Sequence, residues 1–409
     1  MNVTIAILGL ALLILVHEAG HFFTARAVGM SPRRFYLGFP PALVKVRRKG
    51  IEYGVGAVPL GGYVKIPGMH RPAPSDLDVH FSRAREESPS LNGPVERIKR
   101  LVATGEWREA RAQLPELERA VRDAELSPGA AKTAERGLNE LRDALGPDAY
   151  WRQRTWRKVA VIFAGPGTNL IFAILLIAIV YMVGVPSEAS RTVDRVDPGS
   201  PAQIAGLRSG DQIVAVNGQN VSDFDELSQQ IRASEGKPIE VSVRRGNDVV
   251  MLTPEATVLA EDGRWVFGFR PEVEHRRYGP LESLELSARE SWRVTTAIGG
   301  SLGRIVTGEG RDEISSPVGI VDASSEVIDE GGIRLYLRIL AFISLSLAIL
   351  NLLPLLPLDG GHITFSLIEG LRGRAVGREI YERVSAIGIA LVLILFFVGL
   401  SNDIGGRTD

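Results

Sequence analysis

The stretch "LALLILVHEAGHFFTARAVG", Leu10 to Gly29, decides how this chain is built. A run of aliphatic residues passes without a break into His17, Glu18 and His21. Ionisable groups at membrane depth cost about 2.5–3.5 kcal/mol each on insertion scales, so a chain that keeps them there uses them. The three residues form H-E-x-x-H. On a helix, residues four apart share a face, so both imidazoles can reach one divalent metal ion. Glu18 follows His17 and points to the flank of that face, where it can take a proton from water. The bland alternative is a chance match on a surface helix, and an apolar span has no solvated surface to offer it.

Composition narrows the chemistry. The chain has 409 residues, enough for two or three domains. It is 45% hydrophobic and 23% charged, with a mean hydropathy of +0.09, which points to long apolar stretches set beside polar ones. A net charge of −1 argues against nucleic acid as a partner. There is no cysteine, so disulfides and thiolate metal sites are excluded. A metal must be held by His, Asp or Glu, and two of only six histidines sit in one motif.

Four apolar stretches approach or exceed the roughly 20 residues of a membrane helix: about Val3 to Phe23, Val159 to Val185, Leu335 to Leu358 and Val384 to Leu400. No Lys or Arg precedes His17, so the first reads as a retained transmembrane helix and not as a cleaved signal peptide. Basic clusters follow the first span (Arg33, Arg34, Lys45, Arg47), precede the second (Arg154, Arg157, Lys158) and lie between the last two (Arg372, Arg374, Arg378). The positive-inside rule puts these loops in the cytoplasm of a multi-pass plasma-membrane protein, with residues 186–332 outside. Arg334 and Arg338 fit less well and are expected to snorkel to the interface.

The boundaries read as follows. Residues 1–82 carry the first span and a β segment, "YGVGAVPLGGYVKIPG" (Tyr53 to Gly68), whose paired glycines suggest a membrane-associated hairpin. Residues 83–150 form a cytoplasmic helical insert. Trp107, Ala110, Leu114, Leu117 and Val121 recur at helical spacing, as do Ala134, Leu138, Leu141 and Leu145. Pro115 is expected to break or restart the first of these helices. The second span is 151–185, an outer domain 186–272, an amphipathic linker 273–332, and the last two spans 333–409. In the outer domain, "SPAQIAGLRSGDQIVAVNG" (Ser200 to Gly218) resembles a bacterial PDZ domain. The resemblance implies an α+β unit with a groove that takes a peptide or a trimmed substrate end as an added strand. A domain that only gates is the alternative.

A catalytic zinc commonly has three protein ligands and one open position. "NLLPLLPLDGGH", Asn351 to His362, supplies the candidate third ligand. Pro354 and Pro357 break the helix there, which membrane tolerates only where protein or a wet cavity satisfies the backbone. By the charge topology, Asp359 and His21 lie at the same cytoplasmic depth.

Taken together, H-E-x-x-H in a first span, one PDZ-like domain and N-x-x-P…L-D-G in a later span resemble the site-2 protease family of intramembrane zinc metalloproteases. "PLGGYVK", "FAGPGTN" and "SSPVGI" are also similar to family segments. The resemblance covers nearly the whole chain except the helical insert. It implies a polytopic α-helical membrane protein with about four transmembrane helices. It implies Zn2+ held by His17, His21 and Asp359, with Glu18 as catalytic base. It further implies Asn351 holding the substrate backbone and the Gly61–Gly62 segment binding the unwound substrate. The expected substrates are single-pass membrane proteins, such as anti-σ factors or remnant signal peptides, met in the lipid bilayer. Leu356 stands where many members have proline, with Pro357 next. His362 is a lesser candidate ligand, and His70, His80 and His275 read as surface residues. Two rivals are a catalytically dormant PDZ-containing membrane scaffold and a soluble-type zincin on a membrane tether; no outer or insert segment offers the latter a third ligand.

Overall fold

The computed structural model describes residues 2–260, 263–307 and 316–405; Ser315 of "SSPVGI" lies outside them. The chain divides into two compact units, 1–177 with 287–409, and 178–286.

The first unit begins with α1, Asn2–Ala27, which carries the H-E-x-x-H motif in its second half. Two long strands follow, β1 (Arg34–Arg48) and β2 (Ile51–Lys65). Arg34 is matched with both Glu52 and Lys65, and Leu37 with both Val55 and Gly62, so the ribbon curls back on itself. The sequence reading placed a hairpin at Tyr53–Gly68; the partner of that segment is β1, whose central Pro40–Pro41 pair hides its strand character. Leu43, Val44 and Val46 remain exposed on β1.

Four helices come next: α2 (Pro74–Glu87), α3 (Asn92–Thr104), α4 (Trp107–Asp123) and α5 (Pro128–Leu145). They share one core that includes Leu77, Phe81, Ile98, Leu117 and Leu145, all wholly buried. The helical part therefore begins ahead of Arg83, because Leu77 and Phe81 belong to that core. Pro115 does not break α4, which continues through it. The proline removes one backbone donor, but the buried stripe of Ala110, Leu114, Leu117 and Val121 holds the helix on its neighbours. Ser127 caps α5, its hydroxyl accepting the Ala130 N–H at 3.4 Å.

Among the described residues, four helical stretches are long and apolar enough to cross a membrane: Asn2–Ala27, Thr155–Val183, Gly332–Asn351 and Glu379–Asp403. The second is α6, Thr155–Val183. Only helices and closed barrels satisfy every backbone group without water, which is why these apolar runs are helical. Leu8, Ile171, Ile394 and Phe397 point outward from them, exposed in the way a lipid-facing residue is.

The second unit, described by itself, holds an antiparallel sheet, a single helical turn at Pro201–Ile204 and a longer helix. Its strands β3 (Val185–Val196), β4 (Gln212–Val216), β5 (Val241–Arg245), β6 (Asp248–Met251) and β7 (Phe269–Arg276) run in the order β7-β3-β4-β5-β6, and Gln219–Asn220 also pairs with β4. Helix α7, Phe224–Arg232, buries Leu227 and Ile231 in a core with Ile213, Val241 and Val243.

The remaining helices are α8 (Pro280–Thr307), α9 (Pro317–Asn351, kinked at Gly332, φ 65°), α10 (Asp359–Arg372) and α11 (Arg378–Gly405). Arg338 of α9 does not need to snorkel. Its guanidinium donates to buried Glu290 of α8, Nη2 to Oε1 2.5 Å and Nε to Oε1 3.1 Å.

Candidate metal centre

Asp359 stands at the first position of α10, after a helix-free passage from Leu352 to Leu358 that the two prolines impose. Gly360 lies so close to the Leu352 and Leu353 carbonyls that a Cβ there would sit 2.2–2.3 Å from them. This contact seats the start of α10 against the loop and carries Asp359 to α1.

Three ligand atoms converge. His17 Nε2 lies 3.1 Å and His21 Nε2 3.4 Å from Asp359 Oδ2, and the two Nε2 atoms are 3.2 Å apart. Both histidines are buried. Among the described residues, this is the group of His and carboxylate side chains whose ligand atoms come together closely enough to hold a metal. A tetrahedral ion with bonds of about 2.0–2.1 Å has ligand–ligand edges of about 3.3–3.4 Å, so the three separations fit one. Asp359 Oδ2 is buried and has no hydrogen-bond donor among the described residues, as expected of an oxygen meant for a cation.

The imidazoles are oriented from behind. His21 Nδ1–H donates to the Val161 carbonyl of α6 at 2.8 Å, which turns Nε2 toward Asp359. Gly165, one turn along α6, lies directly under both rings. A Cβ there would be 2.3 Å from His21 Nε2 and 2.9 Å from His17 Nε2. Thr168 Oγ1 donates to the Val16 carbonyl at 3.1 Å and locks the two helices in register. The sequence of "FAGPGTN" carries a family likeness and assigns Gly165 no role. Its mark in the sequence is a glycine inside an apolar span.

Glu18 lies outside the three-atom group and faces the sheet. Gly62 of β2 packs against its side chain, with an added Cβ only 2.2 Å from Glu18 Cγ. Gly61 turns toward Phe39 and not toward Glu18. Asn351 ends α9, and its Nδ2 donates back to the Leu347 carbonyl at 2.9 Å. His362 is not drawn into the cluster: it contacts the Tyr381 hydroxyl and lines a cavity of about 590 Å3 with Tyr150, Lys158, Ser366 and Glu369. Burial pushes its imidazole down to about 4, against the opposing pull of Asp359. His70 and His275 are exposed; His80 is half-buried and pairs with Glu140 at 2.8 Å.

The profile of peptidase family M50 matches residues 5–395. The chain belongs to peptidase family M50. An M50 chain carrying four apolar helices is a membrane protein and a zinc metalloendopeptidase, and the donor set fits Zn2+. Its relatives agree in length as well as in sequence. It is 31% identical to the zinc metalloprotease RasP of Bacillus licheniformis, over 99% of each chain. It is 28% identical to the regulator of sigma-W protease RasP of Bacillus subtilis, over 96% of this chain and 95% of that one. It is also 28% identical to a putative zinc metalloprotease of Agrobacterium fabrum, over 97% and 94%.

Proposed function

We propose that this M50 protease cleaves single-pass membrane proteins within the bilayer, using His17, His21 and Asp359 as zinc ligands and Glu18 as general base and acid. One observation carries the reading: side chains from the first and the penultimate helix, far apart in the chain, place three ligand atoms within 4.8 Å of one another, beside the carboxylate of Glu18. Bound zinc supplies a Lewis acid that acidifies water and polarises the scissile carbonyl. Glu18 takes the proton of the attacking water and hands it to the leaving amide nitrogen. A helical substrate shields its peptide bonds, so it must unwind. The Gly61–Gly62 edge of β2, which runs past Glu18, is suited to receive the unwound segment as an added strand. Asn351 then holds the substrate backbone from the α9 side.

The basic loops support a site that faces the cytoplasm and a 186–272 domain outside. That domain, read as PDZ, docks the end left by an earlier outer cut. The name of the Bacillus subtilis relative supports anti-σ-type substrates, with remnant signal peptides as a second class.

The test is the metal content of the detergent-purified protein. Wild type should hold about one zinc per chain, and His21→Ala and Asp359→Ala should each lose it. Glu18→Gln should keep zinc and lose cleavage of a model single-pass substrate by about 10²–10⁴-fold. Zinc lost only in His21→Ala would refute the three-ligand site. Zinc bound with no Glu18-dependent cleavage would favour the scaffold.

A further inference from the structure

Besides Asp359 Oδ2, two buried polar groups near the metal centre have no hydrogen-bond partner among the described residues. One is Nδ1 of His17; the other is the Asn169 side chain, whose Nδ2 and Oδ1 are both unpaired in a wholly buried residue. An unsatisfied buried amide costs about 1–3 kcal/mol, and a leucine in an apolar span would cost nothing comparable. Such a group asks for a partner.

The helix register supplies one. From Val161 to Thr168 along α6, the contacts run from His21 back to Val16 along α1. The two helices are therefore antiparallel, and Asn169 lies at the level of the turn that carries His17. Val161, Gly165 and Asn169 are spaced by four and share one face of α6. The Val161 carbonyl takes the Nδ1–H of His21, and Gly165 underlies both rings. Asn169 is the next group in that row. Ser344 Oγ of α9 donates to the Asn169 backbone carbonyl at 2.9 Å, closing the other side. A histidine that ligates through Nε2 carries its proton on Nδ1 and almost always gives it to an acceptor.

We propose that Asn169 Oδ1 is that acceptor for His17 through one buried water, and so acts as a positioning residue for the metal ligand. The inference rests on the metal site proposed above. It makes the two imidazoles equivalent in design: each is turned by one oxygen of α6, a backbone carbonyl for His21 and a side-chain amide for His17.

The experiment is chelator competition for zinc on the full-length protein in detergent, with thermal melts of the metal-free forms alongside. Asn169→Leu should release zinc at about 10–100-fold lower chelator concentration than wild type. Its metal-free form should melt no lower than wild type, since the unpaired amide is gone. Asn169→Asp keeps the volume and a stronger acceptor, and should hold zinc at least as tightly as wild type. Unchanged zinc retention in Asn169→Leu overturns the proposal. So does equal loss in a folded Asn169→Asp, which would make the effect one of packing, and this variant decides the matter if Asn169→Leu does not fold. Wild type without zinc would overturn the metal site itself, and the proposal with it.

Discussion

His21 Nδ1–H donates to the Val161 carbonyl at 2.8 Å, joining the first and second apolar helices across the ring from Nε2, the nitrogen that faces Asp359. The bond sets the tautomer as well as the angle of the ring, because a carbonyl can only accept. The proposed metal centre is thus held from α6 as much as from α1 and α10.

Gly165 is where that support is most exposed to substitution. Any side chain at 165 enters the space of His21 Nε2 and His17 Nε2. Gly165→Val should abolish zinc binding while leaving the helix content of the detergent-solubilised protein unchanged. Zinc stoichiometry and far-UV circular dichroism, read together, check this. Full zinc in the valine variant would show that the rings do not depend on the α6 backbone.

Gly62 tests the other side of the site. Its contact is with Glu18 and not with the histidines. Gly62→Val should therefore keep zinc but displace the carboxylate, lowering kcat by 10²-fold or more while metal content stays at the wild-type value. Parallel loss of zinc and activity would show that β2 supports the whole centre instead.

The helical insert is tied to the sheet by charge. Buried Asp143 of α5 accepts from Arg33 Nε at 2.8 Å and Lys65 Nζ at 2.9 Å, and Asp148 takes Arg33 Nη1 at 3.1 Å. Lys65 ends β2, so the insert holds the strand that passes Glu18. Asp143→Asn should cost about 2–3 kcal/mol, somewhat less than a fully buried pair because Arg33 keeps Asp148. Faster hydrogen exchange confined to residues 33–65 and 128–150 would report it. Protection unchanged in both segments would separate the insert from the sheet.

In the 178–286 unit, Asp211 is wholly buried and is gripped by Arg245, Nε to Oδ1 2.8 Å and Nη2 to Oδ2 2.7 Å, and by the Arg208 N–H at 2.8 Å. Burial works against its charge, but these donors outweigh it and hold the carboxyl below its ordinary value. A depressed carboxyl stabilises the fold above the unfolded-state pKa, about 3.9, and that stability is lost as pH falls through the lower folded value. Protection of residues 193–245 should therefore weaken below about pH 4. Asp211→Asn should lower it already at neutral pH and flatten the acid dependence. A variant with the wild-type acid profile would place the sensitive group elsewhere.

The family and its zinc chemistry could be read from local patterns. H-E-x-x-H needs only the period of a helix, a membrane span needs only a run of apolar residues, and L-D-G marks itself by putting a carboxylate after two helix-breaking prolines. The buried stripes of α4 and α5 were equally legible, because an amphipathic face repeats every three or four residues. Other features carry no such local mark. β1 was hidden by its prolines, and the continuity of α4 through Pro115 by the fact that packing outweighed one lost hydrogen bond. Above all, nothing local says that Val161 and Gly165 stand behind His17 and His21. That relation exists only once α1 and α6 lie antiparallel at close range. A glycine in an apolar helix looks the same in sequence whether its missing side chain faces lipid or leaves room for a metal ligand.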